Sequence, residues 1–472
     1  MSMHIPFDNS YAQLPPVFYS KQAPEAVKSP KLIAFNDDLA KVLGVAPDDP
    51  ADMAQVFGGN IVPDGAEPLS QLYSGHQFGS YNPQLGDGRA ILLGETIGAD
   101  GQRRDIQLKG AGRTPYSRNG DGRAWLGPVL REYVVSEAMH ALGIPTTRAL
   151  AAVATGETVQ RETGLPGAVL TRVASSHLRV GTFQIFASRG DTNSLKQLTG
   201  YAIQRHYPDA KGPMGLLRAV RDAQSRLIAA WMGVGFIHGV MNTDNSSISG
   251  ETIDYGPCAF MDSYHPQTVF SSIDRNGRYS YGNQPDIAVW NLAQLATALI
   301  QQMDDPQAGV EEATEIVHAM PDIMQAHWLD TFRAKIGLAL QHGDDLQLIS
   351  DLLALMAKDQ SDFTNTFRAL GQDHARNQFA DRDAFDVWHV KWQERLKGET
   401  DSQARMLGSN PAFIPRNHRI EQMISAAVDG DYSLFHGLNT VLAQPYSDQP
   451  DNIDLTRPPA TDEVVKATFC GT

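Results

Sequence analysis

The spacing of apolar residues changes period partway along the chain, and this change limits the fold more than composition does. In Arg104-Asp105-Ile106-Gln107-Leu108-Lys109 apolar and polar residues alternate, as in a strand with one buried face. Thr147 to Val173 reads as a series of short strands, with turns at Thr155-Gly156-Glu157 and Thr163-Gly164. Beyond Phe183 the period becomes helical: Leu217, Val220, Leu227, Ile228 and Trp231 lie on one stripe, and Ile287, Trp290, Leu295 and Leu299 continue the pattern from Asp286 on. Strands followed by helices predict an α+β fold. The expected division is an N-terminal segment and β-rich part over 1–178 and a mostly helical part over 179–472.

Within that plan, residues 1 to 65 are rich in Pro, Asp and Ala and read as a wrapping segment, with a short helical pattern from Leu32 to Leu43. A longer helix is expected from Pro128, suited to a first turn, to Gly143, suited to a stop. Leu130, Val134, Ala138 and Leu142 form its buried stripe, and Glu132 lies off it. Trp388 and Trp392 are expected in the core, and the Pro-rich, acidic last forty residues on the surface.

The formal charge of -15 and pI near 5.3 argue against nucleic acid or an anionic membrane as the main partner. An anionic ligand would need a local cationic cluster, and Arg89, Lys109, Arg172 and Arg179 supply one. No run of 18 apolar residues and no basic-then-apolar start occurs, so the expectation is a cytoplasmic protein. Two cysteines, Cys258 and Cys470, exclude a disulfide framework or a four-cysteine zinc site.

Three stretches carry the chemistry. Gly75-His76-Gln77-Phe78-Gly79 leads into Pro83-Gln84-Leu85-Gly86-Asp87-Gly88-Arg89, whose glycines let backbone amides approach a phosphate, although Gly-Asp-Gly is equally a hairpin turn. Lys109 ends a strand, and Glu132 follows on a helix. Kinases hold their phosphate-binding lysine with such a pair, although two solvated charges would read the same way. The third stretch is His238-Gly239-Val240-Met241-Asn242-Thr243-Asp244-Asn245, with Asp254-Tyr255-Gly256 after it. Kinases place a catalytic Asp two residues after this His, an Asn five further on, and then Asp-Phe-Gly. Here Val240 stands where that base belongs, and Asp244 is the nearest carboxylate able to replace it. Asn245 and Asp254 offer hard oxygens of the kind Mg2+ takes together with phosphate. His238 reads as structural, hydrogen-bonded to backbone, and the segment from Asp254 to Pro285 as an activation-type loop.

With these residues assembled, the chain resembles the selenoprotein O family of pseudokinase-like protein adenylyltransferases. The stretches quoted above carry the likeness, together with Arg131-Glu132-Tyr133 and the terminal Cys470-Gly471-Thr472. The resemblance implies a protein-kinase-like two-lobed fold and transfer of AMP from ATP to Ser, Thr or Tyr hydroxyls of proteins. It implies Asp244 as proton acceptor, and Gly86, Gly88, Arg89, Lys109, Asp121, Gly122, Arg172 and Arg179 as nucleotide-binding residues. Glu132 is then the partner of Lys109, and Asn245 and Asp254 are the ligands of Mg2+. UTP with Mn2+ is an alternative substrate and cation, and a nucleotide-binding scaffold an alternative role. The bacterial relatives pair a C-terminal Cys with one in the activation loop, which makes a Cys258–Cys470 redox pair the corresponding expectation here.

Overall fold

The computed structural model describes residues 3–465 and 468 and is mixed α and β. Ten strands fall in the first part of the chain: β1 (Tyr19–Lys21), β2 (Lys31–Phe35), β3 (Leu69–Gln71), β4 (Gly75–Gln77), β5 (Ser80–Asn82), β6 (Ala90–Ile97), β7 (Arg103–Lys109), β8 (Ala124–Trp125), β9 (Arg148–Gln160) and β10 (Gly164–Ala174). All but β4 and β5 join one antiparallel sheet in the order β1-β3-β6-β7-β10-β9-β2, with β8 added on β10. β4 and β5 form a separate hairpin.

Strand alternation gives this sheet two unlike faces. Ile91 and Leu93 of β6, Ile106 and Leu108 of β7, and Val169 and Val173 of β10 point to one side. There they pack on Leu39 and Leu43 of α1 (Asp37–Leu43) and on Met53, Val56 and Phe57 of α2 (Pro50–Phe57). The other face packs Leu92, Ala152 and Leu170 with the core that holds α3 (Leu126–Ala141), and β7 and β10 present Gln107, Lys109 and Arg172 on it. One face is therefore core, and the other is core along part of its length and site along the rest.

Three expectations change here. Residues 3–65 do more than wrap: they supply β1, β2, α1 and α2, and Leu32–Phe35 pairs with β9 as a strand, the helix beginning only at Asp37. Thr155-Gly156-Glu157 is no turn. β9 runs through it as a bulge opposite Gly167, where Gly156 takes φ +70° against Ser29. The last forty residues are not all surface, because α15 (Ser433–Leu442, numbered below) buries Phe435, Leu438, Val441 and Leu442, with the Phe435 ring 5.4 Å from that of Tyr133 on α3. An aromatic and aliphatic stripe, and not the flanking Pro and Asp, decided that placement.

The remainder is chiefly helical: α4 (Val180–Ser188), α5 (Thr192–His206), α6 (Gly212–Gly233), α7 (Gln284–Ile300), α8 (Pro306–His318), α9 (Met320–Lys335), α10 (Asp345–Asp359), α11 (Phe363–Leu370), α12 (Arg382–Leu396), α13 (Ser402–Ser409), α14 (Asn417–Val428) and α15. Between α6 and α7 run two short paired strands, β11 (Phe236–Ile237) and β12 (Ala259–Phe260). Trp388 and Trp392 are buried and stack at 5.5 Å, as expected. Among the described residues no helix is long and apolar enough to cross a membrane.

The loop Asn410 to His418, whose sequence gives no role, ties this part together. Arg416 reaches Asp262 and Asp362, Asn417 accepts from Arg131 of α3 at 2.8 Å, and Asn410 exchanges two 2.8 Å bonds with Lys335 of α9. Lys335 is 2% exposed and lies over Phe367 at 4.2 Å; among the described residues no carboxylate pairs with it. Burial pushes its ammonium from the ordinary 10.5 down to about 7. From pH 7 toward 10.5 the unfolded chain then holds a proton that the folded chain has lost, so stability rises with pH, by at most about 1.4 kcal/mol per unit. Denaturant titrations across that window should show the rise in the parent and a flatter profile in Lys335→Met. Equal slopes would mean that Lys335 stays charged.

Candidate active site

The turn that carries the third stretch is held by its own buried groups. His238 is 1% exposed; its Nε2 lies 2.8 Å from the Ile253 carbonyl, and its Nδ1 accepts from the Val240 amide at 3.3 Å. Burial pushes its pKa down, so the ring is a neutral strut and no base, as its sequence position suggested. Trp231 of α6 donates to Thr252 at 2.8 Å and fixes the chain just before Asp254. Asp254 itself takes φ +64°, a left-handed conformation that Asp tolerates better than most residues and that still costs about 1 kcal/mol.

Cations surround the Asp254 carboxylate. Lys109 Nζ and Arg172 Nη1 each lie 2.7 Å from Oδ1, and Arg179 Nη1 lies 3.4 Å from Oδ2. Lys109 also meets Glu132 of α3 at 2.6 Å, and Arg172 meets it at 3.2 Å. The two solvated charges that Lys109 and Glu132 would otherwise be are therefore one buried cluster. Burial alone would push the Asp254 carboxyl up, but Lys109, Arg172 and Arg179 outweigh it and hold the group well below the usual carboxylate range.

Alternation explains how so many charges meet. Gln107 and Lys109 share a face of β7, and Arg172 pairs across from Gln107 on β10. The Gln107 side chain accepts from Arg172 at 2.7 Å and donates to Asp87 at 3.1 Å, while Asp87 lies 3.6 Å from Arg179. Arg179 also sits 4.5 Å over the Tyr73 ring. Gln107, Asp87 and Tyr73 were not singled out from the sequence. The period-two pattern of β7 was the available signal for Gln107, and Asp87 was hidden inside a motif read for its glycines.

Above these groups opens a cavity of about 860 Å³. Gly86, Gly88, Arg89, Lys109, Asp121, Gly122, Glu132, Arg172, Arg179, Asp244, Asn245 and Asp254 all line it, so residues drawn from across the chain converge on one space. Asp121 accepts from Arg161 at 2.8 Å and from the Arg123 amide at 2.9 Å, which ties together the Gly-rich loop that lines the cavity. Asp244, 8% exposed, sits in the short turn Thr243–Asn245, and burial pushes its carboxyl up to about 6 against the pull of Gln77 and Arg179. Asn245 donates to the Val240 carbonyl at 3.0 Å. Cys258 is buried just before β12, and Cys470 lies outside the described residues. The segment after Asp254 is well seated, with Tyr279 donating to Asn242 at 2.7 Å and Tyr281 to the Met232 carbonyl at 2.7 Å.

Comparison with known proteins gives the family. Residues 2–443 match the family described as protein adenylyltransferase SelO. The chain belongs to the SelO family. Among its relatives, the protein nucleotidyltransferase YdiU of Ruegeria pomeroyi is 73% identical over the whole of both chains. That of Roseobacter denitrificans is 65% identical, also over both full lengths, and that of Bradyrhizobium diazoefficiens 56% over all of each. As a SelO-family member this protein is an enzyme of the nucleotidyltransferase class.

One glycine of the SelO-family cavity is fixed by contact as well as by conformation. Gly122 takes φ +69°, and a Cβ there would fall 2.1 Å from the Gly112 carbonyl oxygen, whereas Gly101, at φ +74°, has nothing within 4 Å. Gly101→Ala should therefore cost only the left-handed strain, about 1–2 kcal/mol, and Gly122→Ala clearly more, as a larger fall in thermal midpoint. Equal falls would mean that the Gly112–Gly122 contact is not held.

Proposed function

We propose that this enzyme transfers AMP from ATP to Ser, Thr or Tyr hydroxyls of proteins and releases pyrophosphate. The observation that carries the reading is the joining of Lys109, Arg172 and Arg179 with Asp254 in a cavity that lacks a base at Val240 and has a carboxylate at Asp244. Three clustered cations, two of them buried, suit a triphosphate in an acidic protein. Their partners are acids that a bound cation and nucleotide would rearrange. The family description as adenylyltransferase favours AMP over UMP. A protein-kinase-like two-lobed fold divided near residue 178, and residence in the cytoplasm, belong to the same proposal.

The residues fit a divalent cation by donor chemistry. The Asn245 side chain uses its amide nitrogen on Val240, which leaves the oxygen for a ligand role, and Asp254 adds a carboxylate in the same cavity. Two such oxygens with phosphate oxygens are what Mg2+ ordinarily takes, and among the described residues no cluster of three or more His, Cys, Asp or Glu would hold a metal without them. Such a cation, Mg2+ or Mn2+, would neutralise phosphate charge.

This chain's own residues do the rest. Lys109, Arg172, Arg179 and Arg89, with the loop amides at Gly86, Gly88 and Gly122, would bind and orient the phosphates, and Glu132 holds Lys109 in place. Asp244 takes the proton as the acceptor oxygen bonds to the α-phosphorus and the bond to the pyrophosphate oxygen breaks. A positioned base contributes about 10²–10⁴ in rate. Aligned charge supplies much of the remainder.

ATP labelled at the α- or the γ-phosphate, given with Mg2+ to the parent and to Asp254→Ala, tests this. α-Label should appear on protein and be lost in the variant. γ-Label alone would make the enzyme a kinase, preferred labelling from α-labelled UTP with Mn2+ would make it a uridylyltransferase, and binding without transfer would leave a scaffold.

A further inference from the structure

Three consecutive residues of the β4–β5 hairpin bond to three consecutive residues of the catalytic turn. The His76 amide donates to Thr243 Oγ1 at 2.7 Å, the Gln77 side-chain amide donates to Asp244 Oδ2 at 3.0 Å, and the Phe78 amide donates to Asn242 Oδ1 at 3.0 Å. The hairpin is itself braced. Gln184 of α4 bridges His76 Nδ1 at 2.9 Å and Thr243 at 2.7 Å, and Phe78 holds a left-handed φ of +50°, which a free loop would relax. At its start Gly75 lies so close that a Cβ there would be 3.0 Å from Asp244 Oδ1.

The two oxygens of Asp244 consequently differ. Oδ2 is taken by Gln77, while Oδ1 is buried with no hydrogen-bond partner. A buried acceptor left unmade is costly, about 1–3 kcal/mol, and calls for an explanation in a site of otherwise paired groups. Asp244 also lines the cavity.

We infer that Gln77 is a positioning residue: its amide holds Asp244 Oδ2 at 3.0 Å and so fixes the orientation in which the carboxylate meets the acceptor's proton. The inference rests on Asp244 being the proton acceptor of the proposed reaction. In that step the acceptor O–H proton passes to the Asp244 carboxylate, the acceptor oxygen bonds to the α-phosphorus, and pyrophosphate leaves with the electron pair of the broken bond. A side chain free to turn about its χ angles would present either oxygen, or neither, to the acceptor. Gln77 removes that freedom from outside the cavity, whose lining it does not join.

The test is a double-mutant cycle on the full chain, read as self-labelling from α-labelled ATP with Mg2+ at varied ATP, together with thermal melting. Gln77→Met keeps the length of the side chain and removes the donor. It should lower kcat about tenfold or more, with KM for ATP within about twofold, and the midpoint should fall modestly because a buried acceptor loses its donor. Gln77→Asn, which draws the amide back by one methylene, should show the same loss and stands in should Gln77→Met fold poorly. Combined with Asp244→Asn, Gln77→Met should add no further loss, because it acts only through Asp244. An equal further loss in that background would overturn the inference by making Gln77 a general support. A rise in kcat would overturn it by making the hairpin a cover over the base. Full activity in Asp244→Asn alone would instead remove the base reading itself, an outcome that the single variant at Gln77 cannot imitate.

Discussion

The site depends on one carboxylate shared among three cations. Lys109 from β7, Arg172 from β10 and Arg179 at the start of α4 all converge on Asp254, which belongs to the segment between β11 and β12. Replacing any one partner would leave charge uncompensated in a largely buried setting, and such removals are far more damaging than losing a surface pair. The same ion cluster therefore joins the sheet to the helical part and sets the distance between them. On the proposed reading a triphosphate would compete for these cations, and the cluster would then describe what a nucleotide has to displace.

The sheet accounts for the convergence. Its apolar face against α1 and α2 fixes the register of β6, β7 and β10, since a slip by one residue would turn Ile106 and Leu108 toward the cavity and Lys109 into the core. Packing on one side thus determines electrostatics on the other. The hairpin β4–β5 plays a comparable part for the turn that carries Asp244, although it uses hydrogen bonds where the sheet uses apolar burial.

Much of this was legible in the residues. Alternation in Arg104–Lys109 and the helical period beyond Phe183 gave the class of fold, and the motifs around Gly86, Lys109, Asp244 and Asp254 gave the residues that the cavity gathers. What stayed hidden depended on partners far away in sequence. Leu32–Phe35 is a strand only because β9 lies beside it, and β9 passes through Gly156 only because a bulge absorbs the extra residues. Gln77 and Gln107 have no charge to draw notice, and their importance lies in the oxygens they face. The kinase-like pattern could say that Val240 is no base, but not which oxygen of Asp244 Gln77 holds.

The helix that carries Glu132 is gripped on its outer side by Arg131, which bonds to Asn417 and Glu421 of α14, 286 residues later in the chain. During synthesis at about 5–20 residues per second, an interval of that length takes about 15 to 60 s. Through that time the outer face of α3 has no α14 or α15 to rest on, although the sheet beneath it can be completed as soon as β9 and β10 have been made. The order of the chain thus delays the last brace of the lysine pair until nearly the whole protein has been made, and a prematurely ended chain would carry the cavity's residues without their outer support.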